Sequence, residues 1–251
     1  MKLYVHMSPA DVAAIQPPIE DVYIVIDVVR ATTAMTTMFD RGARRVLAAD
    51  TVEQARQSAQ RTPGRLLCGE RHALPLPGFD YGNSPAEFAQ LDLRQRELIL
   101  TTTNGSRAFF ACPTQSIRLA GCFYNAAAVT AAAIQQAERQ KSNIQIVCAA
   151  ENGYFALDDT VCAGYLVREI QRQLPALQCH ESASTASELY QLYPPARLAA
   201  CSHSIQQVVE AGLSRDIEIC LQQSGSNSIG QVIRQEPETG LLILEPFTDK
   251  V

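Results

Sequence analysis

The sequence has no excess of positive charge. It contains 21 basic and 26 acidic residues, which gives a formal net charge of −5. Proteins that bind nucleic acid through its phosphate backbone need a basic surface, so the balance argues against that class. Lysine is scarce, and arginine supplies most of the positive charge. Because a guanidinium group can hold a phosphate or sulfonate through two hydrogen bonds, the arginines suit a small anionic ligand.

Long hydrophobic runs and paired cysteines are also missing. No stretch approaches the roughly 18–20 apolar residues that cross a bilayer, and the N-terminus does not resemble a signal peptide. We therefore expect a cytoplasmic protein without a membrane partner. The eight cysteines have no C-x-x-C spacing, and no histidine pair has zinc-ligand spacing. This predicts free, mostly buried thiols and no zinc site.

What the sequence does contain is an alternation of strand and helix patterns. Residues 22–28 (VYIVIDV) form a continuous apolar run, as expected of a strand covered on both faces. A helix is predicted over 31–41, and further strands and helices alternate to a helix over 196–211. No linker divides the chain, so we predict one α/β domain over residues 1–251. The expected architecture is a three-layer α/β/α sandwich with a mostly parallel or mixed sheet.

Polar groups follow the first of these strands. Asp27 ends a strand that should be buried, where a lone carboxylate is costly unless it is hydrogen-bonded, paired or bound to a metal. Arg30 follows at the predicted start of a helix. One interpretation is a site for a metal and an anion. The alternative is a structural Asp27–Arg30 ion pair with Thr32 capping the helix, and this segment alone does not separate the two.

A long polar loop between residues 69 and 85 is a second candidate. Connections of this length inside a compact domain are more often functional than structural. Glu70 and Asp80 carry the hard oxygen ligands that Mg²⁺ prefers, and Asn83 and Ser84 lie near Asp80 in a turn. The alternative is a well-capped surface loop.

Two further strand ends carry polar groups. Residues 101–107 (TTTNGSR) form a strand–turn–helix segment that could point backbone N–H groups at an anion, although they lack the P-loop spacing. Asp158 and Asp159 begin a later helix, where acidic residues often only complement the helix dipole. In open α/β sheets such strand ends meet at one edge, so we expect these segments to lie together.

The spacing of cysteine-dependent phosphatases occurs twice, from Cys112 to Arg118 and from Cys162 to Arg168. That chemistry needs a thiolate at a strand end and a glycine-rich phosphate cradle. Neither segment fits both requirements, so this alternative is weak.

Taken together, the segments resemble the 2-phosphosulfolactate phosphatase family. The matching stretches, in order along the chain, are residues 25–33, 69–71, 78–85, 101–106, 158–159 with 162–164, and Gly212 with 216–220. The resemblance implies Mg²⁺-dependent hydrolysis of (2R)-phospho-3-sulfolactate to 3-sulfolactate and phosphate, a step towards coenzyme M in methanogens. The chain departs from the family pattern at Tyr81 and at Glu151-Asn152. We therefore expect this substrate or a closely related phosphorylated hydroxy acid.

The polar segments, taken with this resemblance, lead to a hypothesis for the role of each residue. The predicted catalytic residues are Asp27, Arg30, Glu70 and Asp80. The predicted Mg²⁺ ligands are Asp27, Glu70 and Asp80, with Asp158 or Asp159. The predicted substrate-binding residues are Arg71, Asn83, Ser84, Thr103, Asn104, Gly105 and Ser106.

Three questions stay open at the level of sequence. Hydrolysis could proceed by direct attack of water or through a covalent phospho-aspartate at Asp27. A non-catalytic binder of small anionic metabolites would carry similar polar segments without needing a metal. The oligomeric state is also undetermined, and a homodimer is only the default expectation.

Overall fold

The computed structural model describes residues 1–249, in which the chain forms one mixed sheet with helices on both faces. The predicted α/β class is confirmed. The strands are β1 (Lys2–His6), β2 (Val22–Ile26), β3 (Arg45–Ala48), β4 (Leu66–Arg71), β5 (Leu74–Pro75), β6 (Glu97–Thr101), β7 (Ile117–Gly121), β8 (Ile144–Cys148), β9 (Gln178–Cys179), β10 (Gly230–Gln235) and β11 (Leu242–Pro246).

Helices connect most of these strands. They are α1 (Pro9–Ile15), α2 (Ala31–Asp40), α3 (Val52–Arg61), α4 (Pro85–Phe88), α5 (Gly105–Ala111), α6 (Ala126–Gln140), α7 (Leu157–Gln173), α8 (Glu181–Leu192), α9 (Pro195–Cys201), α10 (His203–Glu210) and α11 (Ser214–Cys220). Among residues 1–249, every helix is too short or too polar to serve as a membrane span.

The sheet has the strand order β5-β4-β6-β3-β11-β10-β7-β2-β8-β1-β9. Strands β7, β2, β8, β1 and β9 are parallel to one another, and so are β3, β6 and β4. The antiparallel strands β10 and β11 lie between these groups, so the groups are antiparallel by pairing. Neighbouring strands are rotated by about 20–25°, so the five steps from β2 to β6 accumulate about 100–125°. This twist turns the carboxyl ends of β4 and β6 towards those of β2 and β8.

The two parallel groups share one hydrophobic core. Strand β2 alternates, with Tyr23 and Val25 facing this shared core and Ile24 and Ile26 facing the opposite side. The shared core also receives side chains from β3, β6, β8 and β11, and α2 and α5 lie within it. Its position places the N-termini of α2 and α5 beside the end of β2.

The prediction of one long helix over residues 196–211 is wrong. Residues 196–211 form two helices, α9 and α10, separated at Ser202. The Ser202 hydroxyl accepts a hydrogen bond from the Ile205 backbone N–H (3.3 Å) and begins α10 as its N-cap. The apolar period continues through the break, which explains why the pattern did not reveal it.

Candidate active site

A cavity of about 120 Å³ lies where the predicted segments meet. The predicted site residues that line it are Asp27, Arg30, Glu70, Asn83, Thr103 and Asn104. Glu151 and Asn152, which follow β8, also line it. The strand ends therefore converge as expected. They do so although the strands are not all parallel, and a sheet twist of the ordinary size accounts for it.

Asp27 occupies the junction between β2 and α2. Its Oδ1 accepts a hydrogen bond from the Ala31 backbone N–H (3.1 Å), which fixes the carboxylate at the start of the helix. Gly105 lies so close that a Cβ at this position would collide with the Asp27 carboxylate. A glycine is therefore needed there to let α5 approach Asp27. Burial raises the pKa of Asp27 to about 6, and the Glu70 charge adds to the shift, against the lowering effect of Ala31 N–H and Arg30.

Two further buried carboxyl groups, Asp158 and Asp159, lie behind Asp27. Asp159 accepts hydrogen bonds from the backbone N–H groups of Val28 (2.9 Å) and Ala150 (3.2 Å), and so ties the loops after β2 and β8 together. Burial raises the pKa of Asp158 to about 7, with repulsion from Asp27 as the next cause. The pKa of Asp159 is also raised, by burial and by Asp158.

Glu70 connects the loops on the other side of the cavity. Its Oε1 accepts hydrogen bonds from both the backbone N–H and the hydroxyl of Thr103 (3.0 Å each). Its Oε2 accepts one from the Ala73 backbone N–H (3.1 Å), in the turn between β4 and β5. Glu70 therefore holds the β4–β5 turn against the loop that precedes α5.

Arg30 is buried and does not pair with Asp27, so the structural ion pair considered as an alternative is not formed. Its Nη1 donates to Asp216 Oδ2 (2.7 Å), and its Nη2 donates to the Ala73 carbonyl (2.8 Å). Asp216 also accepts hydrogen bonds from the Ser84 hydroxyl (2.5 Å) and the Ala86 backbone N–H (3.1 Å). This arrangement fixes the guanidinium group at the cavity wall.

The structure does not bring every predicted residue to the cavity. Asp80 is exposed and accepts a hydrogen bond from the Leu67 backbone N–H (2.7 Å), which fastens the loop to β4. Arg71 donates to the Glu70 carbonyl (2.6 Å). Ser106 is buried and accepts a hydrogen bond from the Thr102 backbone N–H (3.1 Å), while Ser84 contacts Asp216. These contacts give Asp80, Arg71 and Ser106 structural positions outside the cavity lining.

Asn83 and Asn104 do face the cavity. The Oδ1 atom of Asn83 is buried without a hydrogen-bond partner in the described part of the chain. Asn104 Oδ1 accepts a hydrogen bond from the Asn152 backbone N–H (3.1 Å) and joins the loops after β6 and β8. Burying an amide oxygen without a partner costs free energy, so Asn83 Oδ1 is well placed to bind a cation or a hydrogen-bond donor of a ligand.

The sequence reasoning missed several residues of this region. Asp216 belongs to a stretch that resembles the family, and the acidic residue beside apolar ones (RDIEIC) is a signal that could have predicted a buried partner for Arg30. Ser204 and Gln207 of α10 and His72 of the β4–β5 turn also line the cavity. No local signal distinguishes these three residues from surface positions.

The donor set suits a hard cation in chemical terms. Asp27 and Asn83 both offer oxygen atoms to the cavity, and Asp158 adds a negative charge close to Asp27. Within residues 1–249, however, no three His, Cys, Asp or Glu side chains form a ready-made metal cluster. Of the predicted Mg²⁺ ligands, only Asp27 and Glu70 line the cavity, and both carboxylate oxygens of Glu70 accept backbone hydrogen bonds. Asp27 and the unpartnered Asn83 Oδ1 are therefore the best placed to hold a cation.

The cysteine residues offer no competing nucleophile. All eight are free thiols, as expected, and burial raises the pKa of Cys112 to about 12. Its presumed partner Arg118 is buried and donates to the carbonyls of Phe109 (3.0 Å) and Thr114 (2.8 Å). Cys162 lies inside α7, where burial also raises the pKa of its thiol well above the ordinary value. Neither segment can act as a thiolate phosphatase site.

Comparison with known proteins agrees with the predicted family. The sequence model of the family described as 2-phosphosulpholactate phosphatase matches residues 10–235. A probable 2-phosphosulfolactate phosphatase of Clostridium acetobutylicum is 32% identical over 199 residues, 78% of this chain and 83% of the relative. Proteins of the same name from Symbiobacterium thermophilum (35%, 82% and 90% covered) and Thermosynechococcus vestitus (34%, 88% and 92% covered) are similar over most of both chains. With this coverage and with the four polar strand ends in one cavity, the chain belongs to the 2-phosphosulpholactate phosphatase family.

Proposed function

We propose that this protein is a Mg²⁺-dependent phosphatase that hydrolyses (2R)-phospho-3-sulfolactate, or a closely related phosphorylated hydroxy acid. The products are the free hydroxy acid and phosphate. The observation that carries the proposal is the placement of a buried carboxylate, Asp27, and a buried guanidinium, Arg30, on the wall of one small cavity. The names of the relatives support the same reaction.

A charge balance supports the need for a cation. Arg30 is the one lysine or arginine that lines the cavity within the described residues, and Asp216 already neutralises it. Asp27 and Glu70 line the cavity and Asp158 lies close to Asp27, so these carboxyl groups add negative charge on the same side whenever they are ionised. A phosphate ester would meet strong repulsion there. A divalent cation offsets this repulsion and relieves the burial cost of the carboxylates.

Asp27 and Asn83 Oδ1 would hold Mg²⁺, with Asp158 adding charge behind them. When bound, Mg²⁺ would neutralise the phosphoryl oxygens and the charge that develops on them. Arg30, held by Asp216 and the Ala73 carbonyl, stays oriented towards the cavity and binds the phosphate or the sulfonate. Glu70 holds the β4–β5 turn and the loop before α5 in place through its hydrogen bonds to Ala73 and Thr103, so it is a positioning residue.

The proposal is tested by phosphate release. The purified protein is incubated with phosphosulfolactate, with 2-phospholactate and with other phosphorylated hydroxy acids, each with Mg²⁺ and with EDTA. We expect phosphate release that requires Mg²⁺, and the compound with the highest kcat/KM identifies the preferred substrate. Saturable binding of these anions without release from any of them would show that the protein is the binder considered as the alternative.

The route of hydrolysis is a separate question. In a covalent route, an Asp27 oxygen attacks phosphorus, the hydroxy acid leaves and water later releases phosphate from the aspartyl phosphate. A rapid-quench experiment compares the appearance of hydroxy acid and phosphate in the first turnover. A burst of hydroxy acid ahead of phosphate, lost in Asp27→Asn, would establish the covalent route, whereas simultaneous release would support direct attack of water.

A further inference from the structure

A second, larger cavity lies away from the candidate active site, between α1 and the β1–β8 part of the sheet. Its volume is about 550 Å³. Strand β1 and Gln145 of β8 form its floor, and Ile15, Pro17 and Pro18 at the end of α1 form a wall. None of its lining residues belongs to the active-site cavity.

A buried chain of hydrogen bonds runs along the floor. Gln145 Nε2 donates to Asp21 Oδ2 (2.7 Å), and Gln145 Oε1 contacts His6 Nε2 (2.8 Å). His6, Gln145 and Asp21 are each at most 4% exposed. The opposite orientation of the Gln145 amide would place its oxygen against the Asp21 carboxylate. Asp21 therefore fixes the amide with its oxygen towards His6.

This orientation determines the tautomer of His6. Since Gln145 presents an oxygen, His6 Nε2 must carry the hydrogen and donate it. Burial lowers the pKa of His6, which keeps the ring neutral. In a neutral ring with a hydrogen on Nε2, Nδ1 is an acceptor. Within residues 1–249, Nδ1 has no hydrogen-bond partner, and His6 lines the cavity. A buried side chain of the lining thus carries an acceptor that no protein group uses.

The other residues of the lining indicate which kind of ligand would donate a hydrogen bond to His6 Nδ1. Tyr4 and His180 lie with their ring centroids 5.2 Å apart and offer flat surfaces. Asp11 and Asp21 line the cavity, and no lysine or arginine does so in the described part of the chain. An anion would be repelled, whereas a flat ring with an N–H group would satisfy His6 and pack on the aromatic and proline side chains.

We propose that this cavity binds a flat nitrogen heterocycle that donates an N–H and carries no negative charge. The expected ligand differs in charge from the ligand of the active-site cavity, which is expected to be an anion. The ligand class follows from His6 as a buried acceptor, from the acidic lining and from the flat apolar walls.

Adenine is the probe, and adenosine 5′-monophosphate is its anionic counterpart. Binding of each to the full chain is measured by calorimetry or by NMR titration of the His6 ring signals. We expect saturable adenine binding with a Kd on the order of 1 mM or tighter, and weaker binding of the nucleotide. His6→Phe keeps a flat ring but removes the acceptor, and it should weaken adenine binding by about three- to tenfold, the value of one hydrogen bond.

His6→Phe also leaves Gln145 Oε1 without its donor, so a second variant guards against misfolding. Ile15 is 65% exposed at the end of α1, where Ile15→Arg adds a positive charge that suits the helix C-terminus. This variant should improve nucleotide binding relative to adenine by at least about threefold. Asp27→Asn, in the other cavity, should leave adenine binding unchanged. Adenine binding that is lost in Asp27→Asn, or that is absent or unaffected by His6→Phe in the folded protein, overturns the proposal.

Discussion

The buried ion pair between Arg30 and Asp216 offers the sharpest test of how the active site is held together. Both side chains are at most 3% exposed, and Asp216 also accepts hydrogen bonds from Ser84 and Ala86. In Asp216→Asn, the amide oxygen can still serve Ser84, but its NH₂ group then faces the Arg30 guanidinium. Removing one partner of a buried pair leaves an uncompensated charge and costs about 3–5 kcal/mol.

A loss of this size is readily measured. Since 1 kcal/mol shifts Tm by about 2–4 °C in a domain of about 150–250 residues, we expect a decrease of about 6–20 °C. The matched control is Glu245→Gln, which removes one charge from the partly exposed Arg45–Glu245 pair. Exposed pairs contribute about 0–1 kcal/mol, so this variant should unfold close to the parent in urea. Equal urea midpoints for the two variants would refute the reasoning.

Activity and a double variant separate positioning from stability. Asp216→Asn should lower kcat/KM because Arg30 loses the contact that orients it. Arg30→Met combined with Asp216→Leu removes both buried charges. Its free energy of unfolding should be at least about 1 kcal/mol higher than the value obtained by adding the losses of the single variants Arg30→Met and Asp216→Leu. The double variant should nevertheless stay inactive, because it lacks the guanidinium. Additive stability losses would show that the two side chains do not interact as a buried pair.

Four further predictions concern the active-site cavity and its surroundings. Asp27→Asn should abolish Mg²⁺-dependent phosphate release at an unchanged far-UV spectrum, and full activity would remove Asp27 from the mechanism. In EDTA, Tm should fall as the pH rises from about 4 to about 7, because the native pKa values of Asp27 (about 6) and Asp158 (about 7) lie above their ordinary value. The folded state binds these protons more tightly than the unfolded state does. Because protons and Mg²⁺ compete for the same carboxylates, Mg²⁺ should raise Tm most at pH 8. A Tm in EDTA that rises between pH 4 and pH 7 would contradict the burial argument. Ala73→Gly should stabilise the fold by about 1 kcal/mol in urea unfolding, since Ala73 has φ 64° in the β4–β5 turn. Cys112→Ser should keep parental kcat/KM, because this thiol is buried and protonated; a large loss would revive the cysteine mechanism.

Local sequence patterns predicted much of the fold and part of the site. The apolar run before Asp27 predicts a buried strand because every side chain in it avoids water, and β2 is buried throughout. Helices α2, α3 and α6 follow from their period and their end residues. Polar groups after a buried strand are conspicuous for the same reason, which is why Asp27, Glu70 and Asn104 were found.

Other features depend on contacts between distant parts of the chain. Asp80 has the same local character as Glu70, yet it fastens its own loop to Leu67 and lies outside the cavity. The break at Ser202 turns α10 towards the cavity, although the apolar period runs through it. Neither outcome is encoded in a short window, because each depends on which surface the segment packs against.

The sequence by itself determined the strand-and-helix alternation, the family and the polar groups at each strand end, since these depend on local periodicity and short-range hydrogen bonds. Only the tertiary structure showed how those ends meet. Two groups of strands that are antiparallel by pairing bring residues from near their carboxyl ends to one cavity. The tertiary structure also gave Arg30 its partner, 186 positions along the chain, because a buried charge is neutralised by whatever the folded core places beside it.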